Sequence, residues 1–340
     1  MKIKDLVREN IRALTPYSTA RDEYQGDIGT FLDANENPYN NGVNRYPDPY
    51  QKVLKKRLSE IKGTDVRNIF IGNGSDEPID LVYRVFCEPR IDNVVSIAPT
   101  YGMYRVAAAT NDVKFVEVQL NEDFSLDPAR LLAAADRHTK LLFLCSPNNP
   151  TANTFPREQI EYLINNFAGM VVLDEAYIDF SSRGSMLADL AKYPNLIILQ
   201  TLSKAWGMAG LRLGIAYADE YVVELFTRVK YPYNINVVTQ QMVLDRLAKP
   251  IDEKVREIVA QRGYMEQAIA KLPVVRHIYP SDANFLLVRF DEPRMIYELL
   301  VKEGIIVRDR SSIRGCAGCL RITVGTPEEN KKVIEILSKL

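Results

Sequence analysis

The sequence predicts an α/β fold: a large domain with a mainly parallel sheet covered by helices on both faces, a smaller α+β C-terminal domain, and an N-terminal arm. Three observations carry this expectation. Short apolar runs at 69–71, 94–97, 114–118, 141–145, 170–173, 196–199 and 213–217 alternate with helical stretches, the pattern of parallel strands joined by helical crossovers. Beyond about Pro250 the alternation stops, and a long helical stretch precedes strands and helices in mixed order. The 340 residues also exceed the usual size of one domain. The divisions expected are an arm over 1–30, a large domain over 31–248 and a small domain over 249–340.

Taken in order, residues 1–15 carry Ile3, Leu6, Val7, Ile11 and Leu14 on one side, which predicts a short amphipathic helix ending before Pro16. A polar, Gly-containing stretch to about Asp27 completes an arm suited to pack on its own chain or to reach across a dimer. Stretches 31–38 and 44–49 are rich in turn formers, and irregular loops of this length usually serve function. Helices are expected over 50–61 and 77–86, with a Tyr- and Ala-rich helix after the second strand. In the small domain the expectation is a helix over 251–272, strands at 274–279 and 284–290, a helix over 295–302, strands at 305–308 and 320–324, and a final helix from Pro327.

Composition narrows the function classes. The formal net charge of -1 offers no basic surface for nucleic acid. No apolar run approaches the roughly 18 residues of a membrane span, and the N-terminus lacks a signal-like apolar core, so a cytoplasmic protein is expected. Four cysteines do not make a disulfide framework. Cys316 and Cys319 have C-x-x-C spacing, but with no second such pair and two histidines in the chain no metal site is expected. The scarcity of histidine leaves lysine as the natural acid–base group.

A polar cluster follows each of five apolar runs: Gly72 to Asp76, Pro99 to Tyr101, Ser146 to Pro150, Asp174 to Tyr177 and Thr201 to Lys204. All would lie at the carboxyl edge of the sheet, where open α/β folds bind ligands. Gly72-Asn73-Gly74-Ser75-Asp76 reads as a turn opening a helix, with Ser75 suited to the N-cap and free N–H groups suited to a phosphate, although an ordinary capped helix fits as well. Neither a Walker A loop nor a G-x-G-x-x-G fingerprint occurs, which counts against ATP and NAD. Lys204, flanked by Thr201 and Ser203 and followed by Arg212, fits a covalent amine beside an anion pocket, as in a pyridoxal phosphate Schiff base; a solvated lysine after a strand fits the same residues. Asp174 suits a metal ligand, a general base or a partner for a protonated ring nitrogen. Tyr101 offers a flat stacking face, or core packing.

Asp174-Glu175-Ala176-Tyr177, Ser146-Pro147-Asn148-Asn149-Pro150-Thr151, and Thr201-Leu202-Ser203-Lys204 followed by Gly210-Leu211-Arg212-Leu213-Gly214 resemble, in order and spacing, the signature blocks of the fold type I pyridoxal 5'-phosphate (PLP) dependent aminotransferases. Four further blocks, Asp33 to Pro38, Arg45 to Pro49, Pro99 to Tyr104 and Cys319 to Gly325, resemble the histidinol-phosphate aminotransferase branch. The resemblance spans nearly the whole chain.

It implies PLP as cofactor and Lys204, Asp174 and Tyr177 as the catalytic residues. Lys204 would carry the Schiff base and shuttle the proton. Asp174 would hold the pyridine nitrogen, Asn149 and Tyr177 the ring 3-oxygen, and Tyr101 the ring face. The cofactor phosphate would be held at Ser75 and Asp76, by Thr201, Ser203 and Arg212, and by Tyr46 of a neighbouring subunit. For substrate, Arg321 would grip the carboxylate of glutamate and Arg308 the phosphate of histidinol phosphate, with Tyr17 and Asn35 also assigned to substrate binding. Without the resemblance, Arg308 reads equally as a strand-end arginine paired with Asp309. The implied partners are histidinol phosphate and glutamate or 2-oxoglutarate, and a homodimer with shared sites. The same fold also accommodates an aromatic amino acid aminotransferase or a threonine-phosphate decarboxylase-like enzyme, and a non-catalytic PLP-binding regulator is the alternative of another class. One departure stands out: Ala152 occupies a position where the family usually has Gly, so a turn conformation that admits a Cβ is expected there.

Overall fold

A computed structural model describes residues 2–17 and 29–340. Its centre is a seven-stranded sheet of β1 (Ile69–Asn73), β2 (Asn93–Ala98), β3 (Lys114–Gln119), β4 (Thr139–Cys145), β5 (Met170–Asp174), β6 (Leu196–Thr201) and β7 (Leu213–Tyr217), in the order β1-β7-β6-β5-β4-β2-β3. Pairings among β3, β2, β4, β5 and β6 are parallel, and β7 runs antiparallel to both its neighbours. Every residue of β2, β5, β6 and β7 is buried, as continuous apolar strands covered on both faces should be.

The strand alternation sorts side chains between two helical layers. The chain starts with a 3-10 turn (Ile3–Asp5) and a four-residue helix, α1 (Glu9–Arg12). There follow α2 (Lys52–Lys62), α3 (Asp76–Phe86), α4 (Met103–Thr110), α5 (Pro128–Ala133), α6 (Arg157–Asn166), α7 (Glu220–Val229) and α8 (Val237–Leu247). Ile69, Ile71, Leu196 and Ile198 pack with Leu54 and Leu58 of α2, Leu163 of α6 and Val243 of α8. Phe70, Ile197 and Leu199 point the other way, to Val82 and Phe86 of α3, Tyr104 of α4, Phe226 of α7 and the N-terminal Leu6 and Ile11.

The remaining chain builds a four-stranded antiparallel sheet from β8 (Val275–Ile278), β9 (Phe285–Phe290), β10 (Arg308–Asp309) and β11 (Cys319–Thr323), in the order β10-β11-β9-β8. One face, with Leu286, Val288, Leu320 and Ile322, is covered by α9 (Asp252–Ile269), α10 (Pro293–Lys302) and α11 (Pro327–Leu337). Period-two alternation turns Phe285, Leu287, Cys319 and Arg321 to the opposite face. There Leu287 and Cys319 join the large-domain core, and Phe285 packs with Ala152 and Tyr177.

Four expectations need correction. The apolar stripe of 1–15 is used, since Leu6, Val7 and Ile11 are buried, but as two short turns rather than one helix; Arg8 leaves helical geometry between them and bonds the Val85 carbonyl. Ser75 sits at the N-cap with helical backbone angles and makes no side-chain cap bond; separately, the Glu77 carboxylate accepts the Asn73 N–H at the end of β1. The strand expected at 305–308 forms only at Arg308–Asp309, because register with β11 begins at Arg308 opposite Arg321. Ala152 keeps the left-handed conformation, φ 69°, with its methyl fully buried. The stretch of the expected arm over 18–28 lies outside the described residues.

Candidate active site

Because β1, β2, β4, β5 and β6 all point one way, their carboxyl ends meet at one edge. The antiparallel β7 brings Arg212, just before its first residue, back to the same edge. A cleft of about 690 Å³ opens there, between this edge and the arginine-bearing face of the small sheet. Twelve of the fifteen residues singled out in the sequence line it: Ser75, Asp76, Tyr101, Asn149, Asp174, Tyr177, Thr201, Ser203, Lys204, Arg212, Arg308 and Arg321.

Asp174 ends β5 and is buried. Burial pushes its carboxyl up to about 6, against the hydrogen bonds that favour the anion, donated by Tyr104 Oη to Oδ2 at 2.6 Å and by the Ala176 N–H to Oδ1 at 3.0 Å. Tyr104 is itself fully buried, stacked on Phe143 at 4.7 Å and edge-on to Tyr101 at 5.6 Å. Sequence reasoning did not select it for the site. Its signal was an aromatic hydroxyl on the first turn of the helix after β2, one turn from Tyr101, but nothing in the sequence says it reaches β5.

Lys204 follows β6 in a tight loop in which the Ser203 N–H bonds Thr201 Oγ1 at 3.1 Å and the Gly207 N–H bonds the Lys204 carbonyl at 3.0 Å. Its amine makes no hydrogen bond or ion pair among the described residues and stands 5.7 Å from the centre of the Tyr177 ring. Desolvation first, and then the Arg321 charge, lower its pKa from the ordinary lysine value. A neutral amine is thereby easier to reach than on the surface, as a nucleophile or base requires.

Around the mouth of β1, two glycines set the spacing. A Cβ on Gly214 would lie 2.2 Å from the Ser75 nitrogen, and one on Gly74 would lie 2.5 Å from Arg212 Nη2. Their absence lets the start of α3, the β6–β7 turn and the Arg212 guanidinium share one small volume. Arg212 is held in the left-handed region, φ 53°, and pairs with Asp76 Oδ2 at 3.2 Å; Asp76 Oδ1 accepts from Tyr101 Oη at 3.2 Å.

On the opposite wall, Arg321 donates from Nη1 to Asn149 Oδ1 at 2.5 Å and lies 5.2 Å from the centre of the Phe285 ring; desolvation lowers its pKa. Asn149 donates in turn to Tyr177 Oη at 3.4 Å, and burial raises the Tyr177 phenol. Arg308, opposite Arg321 in the β10–β11 ladder, lines the cleft without an ion pair to Asp309, whose carboxylate instead accepts the Ser311 N–H at 2.8 Å. Arg310 is a third guanidinium in the cleft that the sequence reading did not select.

Three selected residues lie elsewhere. Asn35 and Tyr46 line a second cleft of about 540 Å³ with Val237 and Val238, where Tyr46 stacks on Tyr233 at 4.4 Å. Tyr17 is 75% exposed and lines neither cleft.

The donor set fits PLP: an unbonded amine, a buried carboxylate with two donors behind it, a flat phenol, and a glycine-cleared pocket where the start of α3, Thr201, Ser203 and Arg212 converge for a phosphate. Among the described residues no cluster of three or more His, Cys, Asp or Glu is placed to hold a metal ion, and no helix is long and apolar enough to cross a membrane.

Comparison with known proteins agrees with this geometry. The family described as aminotransferase class I and II matches residues 24–337. A histidinol-phosphate aminotransferase of Bacteroides fragilis is 54% identical over 340 residues, and one of Parabacteroides distasonis is 52% identical over 340, each alignment covering 99% of both chains. The solved histidinol-phosphate aminotransferase of Sinorhizobium meliloti in complex with pyridoxal-5'-phosphate superposes with a TM-score of 0.78 at 25% identity, covering 87% of this chain and 82% of that one. The chain belongs to the class I and II aminotransferase family and, within it, to the histidinol-phosphate aminotransferase family.

Proposed function

We propose that this chain transfers an amino group between L-histidinol phosphate and 2-oxoglutarate, giving imidazole acetol phosphate and glutamate, with PLP as cofactor. The observation that carries the reading is the pairing, across one cleft, of a lysine beside a buried carboxylate with three arginines, where neither the lysine nor the arginines form an ion pair with a carboxylate among the described residues. Bound PLP supplies an electrophilic carbon that takes up the amino group and a cationic ring that withdraws electrons from the carbon losing its proton.

The protein residues divide the remaining work. Asp174, largely ionised at neutral pH, holds the protonated ring nitrogen, and Tyr104 and the Ala176 N–H keep its carboxylate aimed. Asn149 and Tyr177 hold the ring oxygen, and Tyr101 covers one ring face. Ser75, Asp76, Thr201, Ser203 and Arg212 hold the cofactor phosphate. Lys204 Nζ would accept the proton from the substrate carbon and deliver it to the far side of the transferred nitrogen, a 1,3 shift that its lowered pKa favours. Arg321 and Arg308 bind the anionic end of either substrate, since planar guanidinium forks match carboxylate and phosphate alike.

The active unit of this proposal is a homodimer in the cytoplasm, divided into an arm over 1–30, a large domain over 31–248 and a small domain over 249–340. Supporting it, Tyr46, Asn35 and Tyr17 lie outside their own chain's catalytic cleft, where a partner subunit's cleft could take them up. Size-exclusion chromatography with light scattering at micromolar concentration tests the assembly; a monomer with full activity overturns it.

The chemistry is tested by adding histidinol phosphate, phenylalanine or threonine phosphate to the PLP-loaded protein and following its visible absorbance band. Conversion with histidinol phosphate, restoration by 2-oxoglutarate and neither change in Lys204→Ala are expected. Turnover only with phenylalanine, or release of carbon dioxide from threonine phosphate, overturns the assignment.

A further inference from the structure

Resting on the function proposed above, we propose that Arg310 is a specificity-determining residue that joins Arg308 in holding the doubly charged phosphate of the amine donor. Arg310 lies one residue past β10 in the same extended run, so it shares a face with Arg308, two residues before it. Arg308 registers with Arg321, and the Arg310 N–H bonds the Cys319 carbonyl, which places Arg310 one step further along the same ladder; all three arginines line the catalytic cleft.

Their bonding differs. Arg321 is already committed to Asn149 and to the Phe285 ring. Arg310 is half-buried, and its Nε is out of contact with solvent yet donates to nothing. No side-chain hydrogen bond or ion pair of Arg310 is present among the described residues, and the adjacent Asp309 turns its carboxylate back to Ser311. Burial and the neighbouring charges of Arg321 and Arg308 both disfavour a cation here, so the side chain bears a penalty that an anion in the cleft removes. A carboxylate brings two oxygens and one charge, which Arg321 and Arg308 can meet without a third guanidinium. A phosphate monoester brings three terminal oxygens and nearly two charges at neutral pH, which calls for further donors. The Arg310 side chain has no structural partner to lose, because β10 is held to β11 through its backbone.

The test measures calorimetric binding of the amine-free analogue of histidinol phosphate to the PLP-loaded protein, together with the two half-reactions. Arg310→Gln is expected to weaken analogue binding and to lower kcat/KM for histidinol phosphate by about 10- to 100-fold, while glutamate changes by less than about threefold. Arg310→Lys, which keeps the charge without the fork, should fall between, and serves also if Arg310→Gln does not fold. In wild type, binding should weaken as pH falls through about 6 and the phosphate loses its second charge, and this slope should flatten in Arg310→Gln. Unchanged analogue binding in both variants, equal losses for the two substrates, or an unaltered pH slope overturns the role of Arg310. Failure of the wild type itself to convert histidinol phosphate overturns the function proposed above, and the inference falls with it.

Discussion

The two walls of the cleft are built on opposite plans. On the large-sheet wall, Asp174 and Tyr104 are buried, bonded to each other and backed by Phe143, so the carboxylate is aimed before any ligand arrives. On the small-sheet wall, Arg308 in a two-residue strand and Arg310 just past its end pair with no carboxylate among the described residues. A reaction common to every substrate needs fixed groups, which a packed sheet edge supplies at little reorganisation cost. Recognition of two different anions in turn needs donors left open until the anion supplies their partner. The difference teaches that, under the function proposed above, the groups common to every substrate sit on the pre-bonded wall and the arginines that meet the substrate anions on the open one.

Removing the amine at the centre of the fixed wall should have the largest effect. Lys204→Ala is expected to lower turnover by about ten-thousand-fold with the melting temperature of the cofactor-free protein nearly unchanged, since the amine makes no hydrogen bond or ion pair among the described residues; single-turnover kinetics and a thermal melt check both.

Next comes the buried pair. Tyr104→Phe leaves Asp174 with one donor fewer in a desolvated place, so the cofactor-free protein should lose about 1–3 kcal/mol in urea denaturation. The same change raises the Asp174 pKa further, because the lost bond favoured the anion. It should therefore weaken PLP binding and move the lower limb of the activity profile upward in pH, neither of which a loss of packing alone would do.

The pH dependence of stability offers a sharper comparison. Burial holds the Asp174 carboxyl at about 6 in the folded state, above its ordinary value of 3.8, so the folded state binds more protons between these values. Its contribution to stability is then fully present below about pH 4 and lost as pH rises through 6, by up to about 3 kcal/mol. In cofactor-free Asp174→Asn this falling contribution should vanish, which denaturation at pH 4.5 and 7 in both proteins would show. An identical pH trend in the two would place the effect elsewhere.

The smallest expected effect lies where the walls meet. Ala152 pays about 1–2 kcal/mol for a left-handed backbone and recovers part by burying its methyl against Phe285 and Tyr177. Ala152→Gly should stabilise the protein by up to about 1 kcal/mol, a melting shift of one or two degrees. A clear loss would mean that the methyl outweighs the strain.

Much of the site was legible because strand ends are legible. Apolar runs followed by Asp174, Asn149 or Lys204 place those residues at one edge whatever the loop details. The shortfalls have local causes. The N-terminal stripe suggested one helix, but periodicity records burial and not whether Arg8 interrupts the turns. Ser75 looked like a cap, but its backbone is helical and its side chain makes no capping bond. The expected turn at Ala152 would have avoided a positive φ, but the surrounding chain held the backbone there.

By itself, the sequence determined the layers, the polar edge and the presence of a lysine, a carboxylate and arginines there, because period-two and helical patterning are local properties of the chain. Only the tertiary structure decided which of them touch. Tyr104 meets Asp174 across 70 residues, and Arg321 meets Asn149 across 172. It also decided that the Arg310 side chain has no partner among the described residues, since pairing depends on where the small sheet docks, and no local pattern encodes the distance between two folded surfaces.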